Sequence, residues 1–373
     1  MNEIINVKLK CIGPVHIGNG NIIKKQDYFY DRVKKRVYII DTLLLFNYLK
    51  SKNLLSNYEN FIMTKSKEAS LTDFVRQNGI RSEDFQKLSF YSYNATFTDT
   101  GNRKLEDISP FIKDAYGLPY IPGSSLKGAI SNAFMNVLIK QGHEKLKYIE
   151  NDVLNERFIK RKTYLSKPNK TLNDKLFMKE VEGEEEKISI FSGLKVSDSK
   201  PLSTEDIILC KKTDLFPDKN ISVLPIYREC LKPGTEIEFV IQRDKSVFKY
   251  PAPKMEACIR NFYIYQYNRF LSKFPETDGK GKNKIYIGGG VGFVSKTAVN
   301  SLIENDDKAL RKISEILDNL DSKNKGKKVG DHLKDPQKYQ VSPHTRKIAS
   351  YLGKNIDMGL CEISFETISN SEQ

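Results

Sequence analysis

Polar and apolar residues alternate at the start of the chain. Ile5, Val7, Leu9 and Cys11 interleave with Asn6, Lys8 and Lys10, the two-residue period of a half-buried strand. The same period returns at the far end, where Cys361, Ile363 and Phe365 interleave with Glu362, Ser364 and Glu366 and predict a closing strand. Between these ends the period changes repeatedly. Two short aromatic strands are expected over 28–30 and 37–40, joined by the basic turn 31–36. Asp41 and Thr42 open a helix through Leu49. Residues 51–100 read as mainly helical and polar, with short helices over 66–77 and 82–88.

Helical spacing is clearest at Leu126, Ala129, Ile130, Ala133, Phe134, Val137 and Leu138, which predict one buried face as far as Lys140. Pro122 and Gly123 stop what precedes it, and Ser124 is the expected N-cap. Residues 157–179 are rich in Lys and Arg and 180–186 are acidic, the pattern of a solvated excursion or a finger over a ligand. Residues 221–231 and 235–241 are expected to pair antiparallel across the turn Lys232-Pro233-Gly234. A long helix over 254–274 carries Met255, Cys258, Ile259, Phe262, Gln266, Arg269 and Phe270 on one side. A strand over 284–287 ends in glycines. Thr297 is a further cap, and Ala309, Leu310, Ile313, Leu317 and Leu320 continue a helix. The order of elements predicts an α+β fold with antiparallel sheets, such as paired split βαβ (ferredoxin-like) modules. A helical insertion covers about 41–106, and long basic loops complete the chain.

Composition adds the class of partner. The chain has 373 residues and a formal charge of +14, which points to a polyanion, either nucleic acid or an anionic membrane. No stretch has the run of about eighteen apolar residues that spans a bilayer. The first residues lack the charged and apolar regions of a signal peptide. A cytoplasmic protein with an RNA or DNA partner is therefore expected. The five cysteines are scattered, form no CxxC pair and stand away from the four histidines in sequence, so no metal site is expected and the thiols read as reduced and buried. Tyrosines 263, 265 and 267 read as packing before base stacking.

Two stretches carry candidate chemistry. In Gly123-Ser124-Ser125-Leu126-Lys127-Gly128 a lysine stands in the first turn of a helix, where the dipole disfavours a cation. Free amides, two hydroxyls and that lysine fit an anion, whereas the plain reading is a capped helix with a surface lysine. Gly288-Gly289-Gly290-Val291-Gly292 fits neither GxxxxGK[ST] nor GxGxxG, so no nucleotide cofactor is expected. Its amides suit an anion nest, with Lys296 just beyond. The plain reading is a loop packed on a helix. Both readings hold together if the loop and the helix start form one phosphate-binding cleft of converging amides.

The stretches Val15-His16-Ile17-Gly18-Asn19-Gly20, Ile121 to Gly128 and Gly288 to Phe293 together resemble the RAMP superfamily of CRISPR systems. Within it they resemble the Csm subunit that caps the 3′ end of the guide RNA (crRNA) in type III-A complexes. The segments Ser342-Pro343-His344-Thr345 and Met358-Gly359-Leu360-Cys361 are similar to that subunit as well. The resemblance implies two ferredoxin-like (RRM-like) modules, here 1–187 and 188–373. It implies a non-catalytic subunit that binds crRNA near its 3′ end, beside the RAMP backbone subunit and other Csm subunits. A part in crRNA maturation is implied, by shielding the RNA or recruiting host nucleases. Gly123, Ser124, Ser125, Lys127, Gly128, Gly288, Gly289, Gly290, Gly292 and Lys296 become RNA contacts, and His16, Gly18 and Gly20 line the same groove. The alternative is a metal-independent endoribonuclease that trims precursor crRNA through His16 or Asp27. Asp27 lacks a second carboxylate or a histidine nearby in sequence, and its plain reading is a solvated loop residue.

Overall fold

The computed structural model describes residues 2–64, 70–96, 106–160, 162–180, 187–277, 279, 283–321 and 332–368. The alternation at the N-terminus folds as read. Asn2–Cys11 is a strand whose Ile5, Val7, Leu9 and Cys11 are buried. It lies at the centre of a five-stranded antiparallel sheet ordered Lys284–Tyr286, Leu360–Ile368, Asn2–Cys11, Glu236–Asp244, Leu194–Val196. Val7 faces Phe239 on one side and Phe365 on the other, so three apolar side chains meet on the buried face. The helices Gly123–Gln141 and Ala252–Arg269 pack on each other beside this sheet. Leu126, Ile130, Phe134, Met255, Ile259 and Phe262 join its core.

A second, eight-stranded sheet runs Lys354–Asp357, Arg346–Tyr351, Ile207–Leu215, Ser89–Ala95, Arg36–Ile40, Tyr28–Asp31, with Ile221–Leu231 and Ile108–Ser109 off this path. The fold class is mixed α+β, as expected. Residues 1–187 and 188–373, expected as two modules, both contribute strands to both sheets. The reason lies in the first strand: its two hydrogen-bonding edges are taken by segments that follow residue 188.

The aromatic strands show period two at both faces. Tyr28, Tyr30, Val37 and Ile39 enter the main core, while Phe29, Tyr38 and Ile40 enter a second core with Leu45, Leu49, Phe61, Phe74 and Phe85. This second core is the insertion. Asp41 caps its first helix, Thr42–Ser51, by accepting from the amides of Leu43 and Leu44 at 2.9 and 3.1 Å. The insertion is not purely helical. Its strand Ser89–Ala95 sits between Arg36–Ile40 and Ile207–Leu215 and so belongs to the large sheet.

Two expectations are corrected. Ile221–Leu231 pairs with Ile207–Leu215, and Glu236–Asp244 pairs with the first strand. The turn Lys232-Pro233-Gly234 therefore carries the chain from one sheet to the other. Gly234, at φ +91°, donates its amide to the Cys11 carbonyl at 2.7 Å, and Cys11 returns a bond to Thr235. The basic stretch is also no solvated excursion throughout. Ser166–Phe177 is a helix whose Leu172 and Phe177 are buried, with Phe177 set edge-on to Phe191 at 4.9 Å. Lys167, Lys170 and Lys175 point outward. Most of the acidic run, 181–186, lies outside the described residues, as do 322–331 of the second basic loop.

Candidate nucleic-acid interface

The first strand runs into a segment gripped on all sides. The amide and carbonyl of Val15 pair with Leu231 at 2.8–3.2 Å, and Pro14 accepts from Gly359 at 2.7 Å. The His16 carbonyl accepts from the amide of Gly289 at 2.6 Å. Gly18 bridges to Phe111. This segment is the floor under the glycine loop.

His16 is buried, and its Nδ1 lies 2.7 Å from the Glu229 carbonyl. A carbonyl only accepts, so Nδ1 carries the proton in the neutral ring. Burial pushes the imidazole pKa below 6.5, and the positive charge of Arg228 adds to the depression. A Cβ on Gly18 would stand 3.1 Å from Nε2, so glycine is what leaves room beside that nitrogen. Glu229 itself is fully buried. Its carboxylate accepts from Tyr91 Oη and the Phe111 amide at 2.8 Å each, and pairs with Lys113 at 2.5 Å. These bonds tie the strand Ile221–Leu231 to Tyr91, Phe111 and Lys113, while the Val15 and His16 bonds hold it to the floor. They also fix its neighbour, Arg228.

The glycine loop passes between His16 and Arg228. Gly288, Gly290 and Gly292 have φ of +87°, +82° and +90°, where a side chain is strained. A Cβ on Gly288 would collide with the His16 carbonyl oxygen, and one on Gly290 with Arg228 Nη1. Lys296 follows. Partial burial lowers its pKa, and the charge of Arg228 lowers it further. The two cations are thus near enough for one charge to act on the other, and among the described residues neither has a carboxylate partner. Such a pair repels unless an anion comes between them. Arg228 was missed in the sequence. The signal available was an Arg-Glu pair inside the otherwise apolar run Ile226 to Leu231.

The helix start is built differently. The helix begins at Gly123 with Pro122 as its cap, so Ser124 lies within the first turn and not at the N-cap. The reason is Asp198, whose Oδ1 accepts from the Gly123 amide at 2.8 Å. The chain supplies its own anion to this helix terminus. A Cβ on Gly123 would collide with the carbonyl oxygens of Val196 and Ser197. Gly123 therefore docks at the Leu194–Val196 edge of the five-stranded sheet, while the glycine loop leaves the opposite edge, Lys284–Tyr286. Ser124 is exposed and Ser125 half-buried. Lys127 has its pKa lowered by partial burial and no carboxylate partner among the described residues. Gly128 is exposed, with open space where a side chain would stand.

Loop and helix do meet, though not at the helix start. Asn132 Nδ2 donates to the Ser295 carbonyl at 2.8 Å. Asn132 is nine residues past Gly123, about 13 Å along the axis at 1.5 Å per residue. Gly128 lies one turn before Asn132 on the same face. The structure thus brings together His16, Gly18, Gly288, Gly289 and Gly290, with Gly292 and Lys296 in the same loop. It sets Gly123, Ser124 and Ser125 apart from them. Gly20 has no atom near its Cβ position. The expectation of free amides converging on one anion is corrected at Gly123 and Gly289, because both amides are bonded within the protein.

Asp27 is exposed and closes its own turn, accepting from the Lys24 amide at 3.0 Å. Tyr263 is buried, and Tyr265 bonds the Asn300 carbonyl, so both serve packing. No helix among the described residues is long and apolar enough to cross a membrane.

The RAMP superfamily profile matches residues 8–327. The Streptococcus thermophilus CRISPR system Cms protein Csm5 is 30% identical, over 78% of this chain and 79% of its own. The chain belongs to the RAMP superfamily, in its Csm5 family. The Csm5 protein of Enterococcus italicus is 27% identical, with 80% of each chain covered. A chain in the cryo-EM structure of a Csm–crRNA–target RNA ternary complex of a type III-A CRISPR-Cas system has the same fold. Its TM-score is 0.66 at 20% identity, over 98% of this chain and 100% of that one.

Proposed function

We propose that this Csm5-family chain is a non-catalytic RNA-binding subunit of a type III-A CRISPR effector complex, serving antiviral defence. It caps the 3′ end of crRNA and takes part in its maturation, beside the RAMP backbone subunit and other Csm subunits. The observation that carries this reading is Arg228 packed against Gly290, with Lys296 in the same loop and no carboxylate partner for either among the described residues. The ribose–phosphate strand is the anion that relieves their repulsion. Lys127 and the open surface at Gly128, on the helix that meets the loop at Asn132, extend the contact, with Ser124 and Ser125 at its far end. We read the five-stranded sheet with its two helices as a ferredoxin-like module, since its path, leaving aside the short edge strand Lys284–Tyr286, is strand, helix, two strands, helix, strand.

Support for a binding role rather than a cutting role comes from His16. Its imidazole is buried and bonded to a main-chain carbonyl, which leaves it a poor general base. The test is RNA binding by the full chain across a salt series. Arg228→Ala and Lys296→Ala are each expected to lower the slope of log K against log salt by about one and to weaken binding to all sequences alike. Unchanged slopes in both variants would overturn the assignment of this loop.

A further inference from the structure

A second polar cluster lies in the C-terminal part of the chain, outside the interface. Asp335 opens the short helix Asp335–Lys338 and its side chain is buried. Its Oδ1 lies 2.6 Å from His344 Nδ1, and its Oδ2 lies 3.0 Å from both His332 Nδ1 and Ser342 Oγ. One donor atom from each of His332, Asp335 and His344 falls within 4.8 Å of the other two. The two imidazoles stack at 4.5 Å with their planes 30° apart. Phe216 stacks on the His344 ring at 5.5 Å, and Tyr339 lies 5.6 Å from it.

The Asp335 carboxylate, with about four acceptor sites, draws both imidazoles and the Ser342 hydroxyl to one point, and the two rings stack on each other. Two imidazole nitrogens and one carboxylate match the donor preference of zinc and its neighbours, and not that of calcium or magnesium. Phe216 and Tyr339 both stack on His344 and hold that ring in place. His344 keeps 14% of its side chain exposed, which gives an ion a way in.

We propose that His332, Asp335 and His344 bind one divalent transition-metal ion of the zinc class, with a further position open to water. The ion staples the segment 332–338 to the residues that enter the strand Arg346–Tyr351. Lys347 of that strand lies against Gly292 of the glycine loop, so the staple also steadies one wall of the interface.

The test uses the full chain without a histidine tag. The protein is stripped with chelator, loaded with Zn²⁺, desalted and assayed for metal by mass spectrometry. About one zinc per chain is expected to remain. Asp335→Asn keeps the size of the side chain, and His344→Phe keeps a stacked ring while removing the donor. Both are expected to lose the ion, with affinity lower by about 100-fold. His143→Ala alters a histidine that bonds the Leu302 carbonyl elsewhere, and it is expected to retain the metal. Because the imidazoles must be deprotonated to ligate, retention should fall as pH drops through the histidine range. Wild-type protein that retains no zinc overturns the site. Retention unchanged in both Asp335→Asn and His344→Phe does so too.

Discussion

The glycine loop and the start of the helix Gly123–Gln141 look alike in sequence and behave differently in the fold. Each sets a lysine four residues after a glycine, Lys296 after Gly292 and Lys127 after Gly123. At the helix start the protein itself fills the space the glycine opens. Carbonyl oxygens of Val196 and Ser197 crowd its α-carbon, and the Asp198 carboxylate takes its amide. In the loop the glycines let a cation in: Gly290 gives way to the Arg228 guanidinium, whose charge also lowers the pKa of Lys296. One region has neutralised its own electrostatics, and the other has concentrated a charge it does not neutralise. A glycine–lysine pattern therefore reports that backbone comes close to something. The chemistry of what comes close decides whether a site results.

Substituting the glycines separates these cases. Gly288→Ala meets both a positive φ and the His16 main chain, which has no room to move. It should destabilise the protein by about 3 kcal/mol, the sum of left-handed strain and overpacking. Gly128→Ala has open space and a helical backbone, and should stabilise it by about 0.5–1 kcal/mol. Urea denaturation of both variants checks the contrast. Equal effects would show that the loop is not wedged against the floor segment.

Much of this was legible in the chain. Period two marked Asn2–Cys11 and Leu360–Ile368, and period 3.6 marked the two helices over the sheet, because burial on one face dictates both patterns. The pairing of strands was not legible. Ile221–Leu231 and Glu236–Asp244 are joined by a good turn, yet each finds its partner elsewhere, since the first strand offers two free edges that no local signal announces. The interface was half legible. The glycines and Lys296 stood out as motifs, whereas Arg228 acts only through a contact with a loop about sixty residues away. Asp198 was hidden for the same reason: a cap supplied from across the fold leaves no mark beside the helix it caps. The cluster of His332, Asp335 and His344 contains no cysteine and matches no CxxC-type spacing, so the sequence does not announce it.

The other half of the comparison is tested at Asp198. Asp198→Ala removes the acceptor for the Gly123 amide and the negative charge at the helix N-terminus. A loss of about 1 kcal/mol is expected, and Asp198→Asn, which keeps an acceptor oxygen, should lose less. Stability unchanged in both would mean that the helix start needs no anion of its own.

The smallest effect expected is a pH dependence set under the loop. His16 is held neutral by burial and by Arg228, with its folded pKa below the ordinary 6.5. The unfolded chain therefore takes up a proton at 6.5 that the folded chain still refuses. Below that pH the unfolded state binds more protons, and stability falls as pH drops from about 6.5 toward the folded pKa. Above it the contribution is fully present. His16→Asn keeps a donor for the Glu229 carbonyl and removes the titration. Urea midpoints at pH 5.5 and 7.5 should differ less in this variant than in the wild type. An equal difference in both would place the titrating group elsewhere and free His16 of the buried, neutral role on which the non-catalytic reading leans.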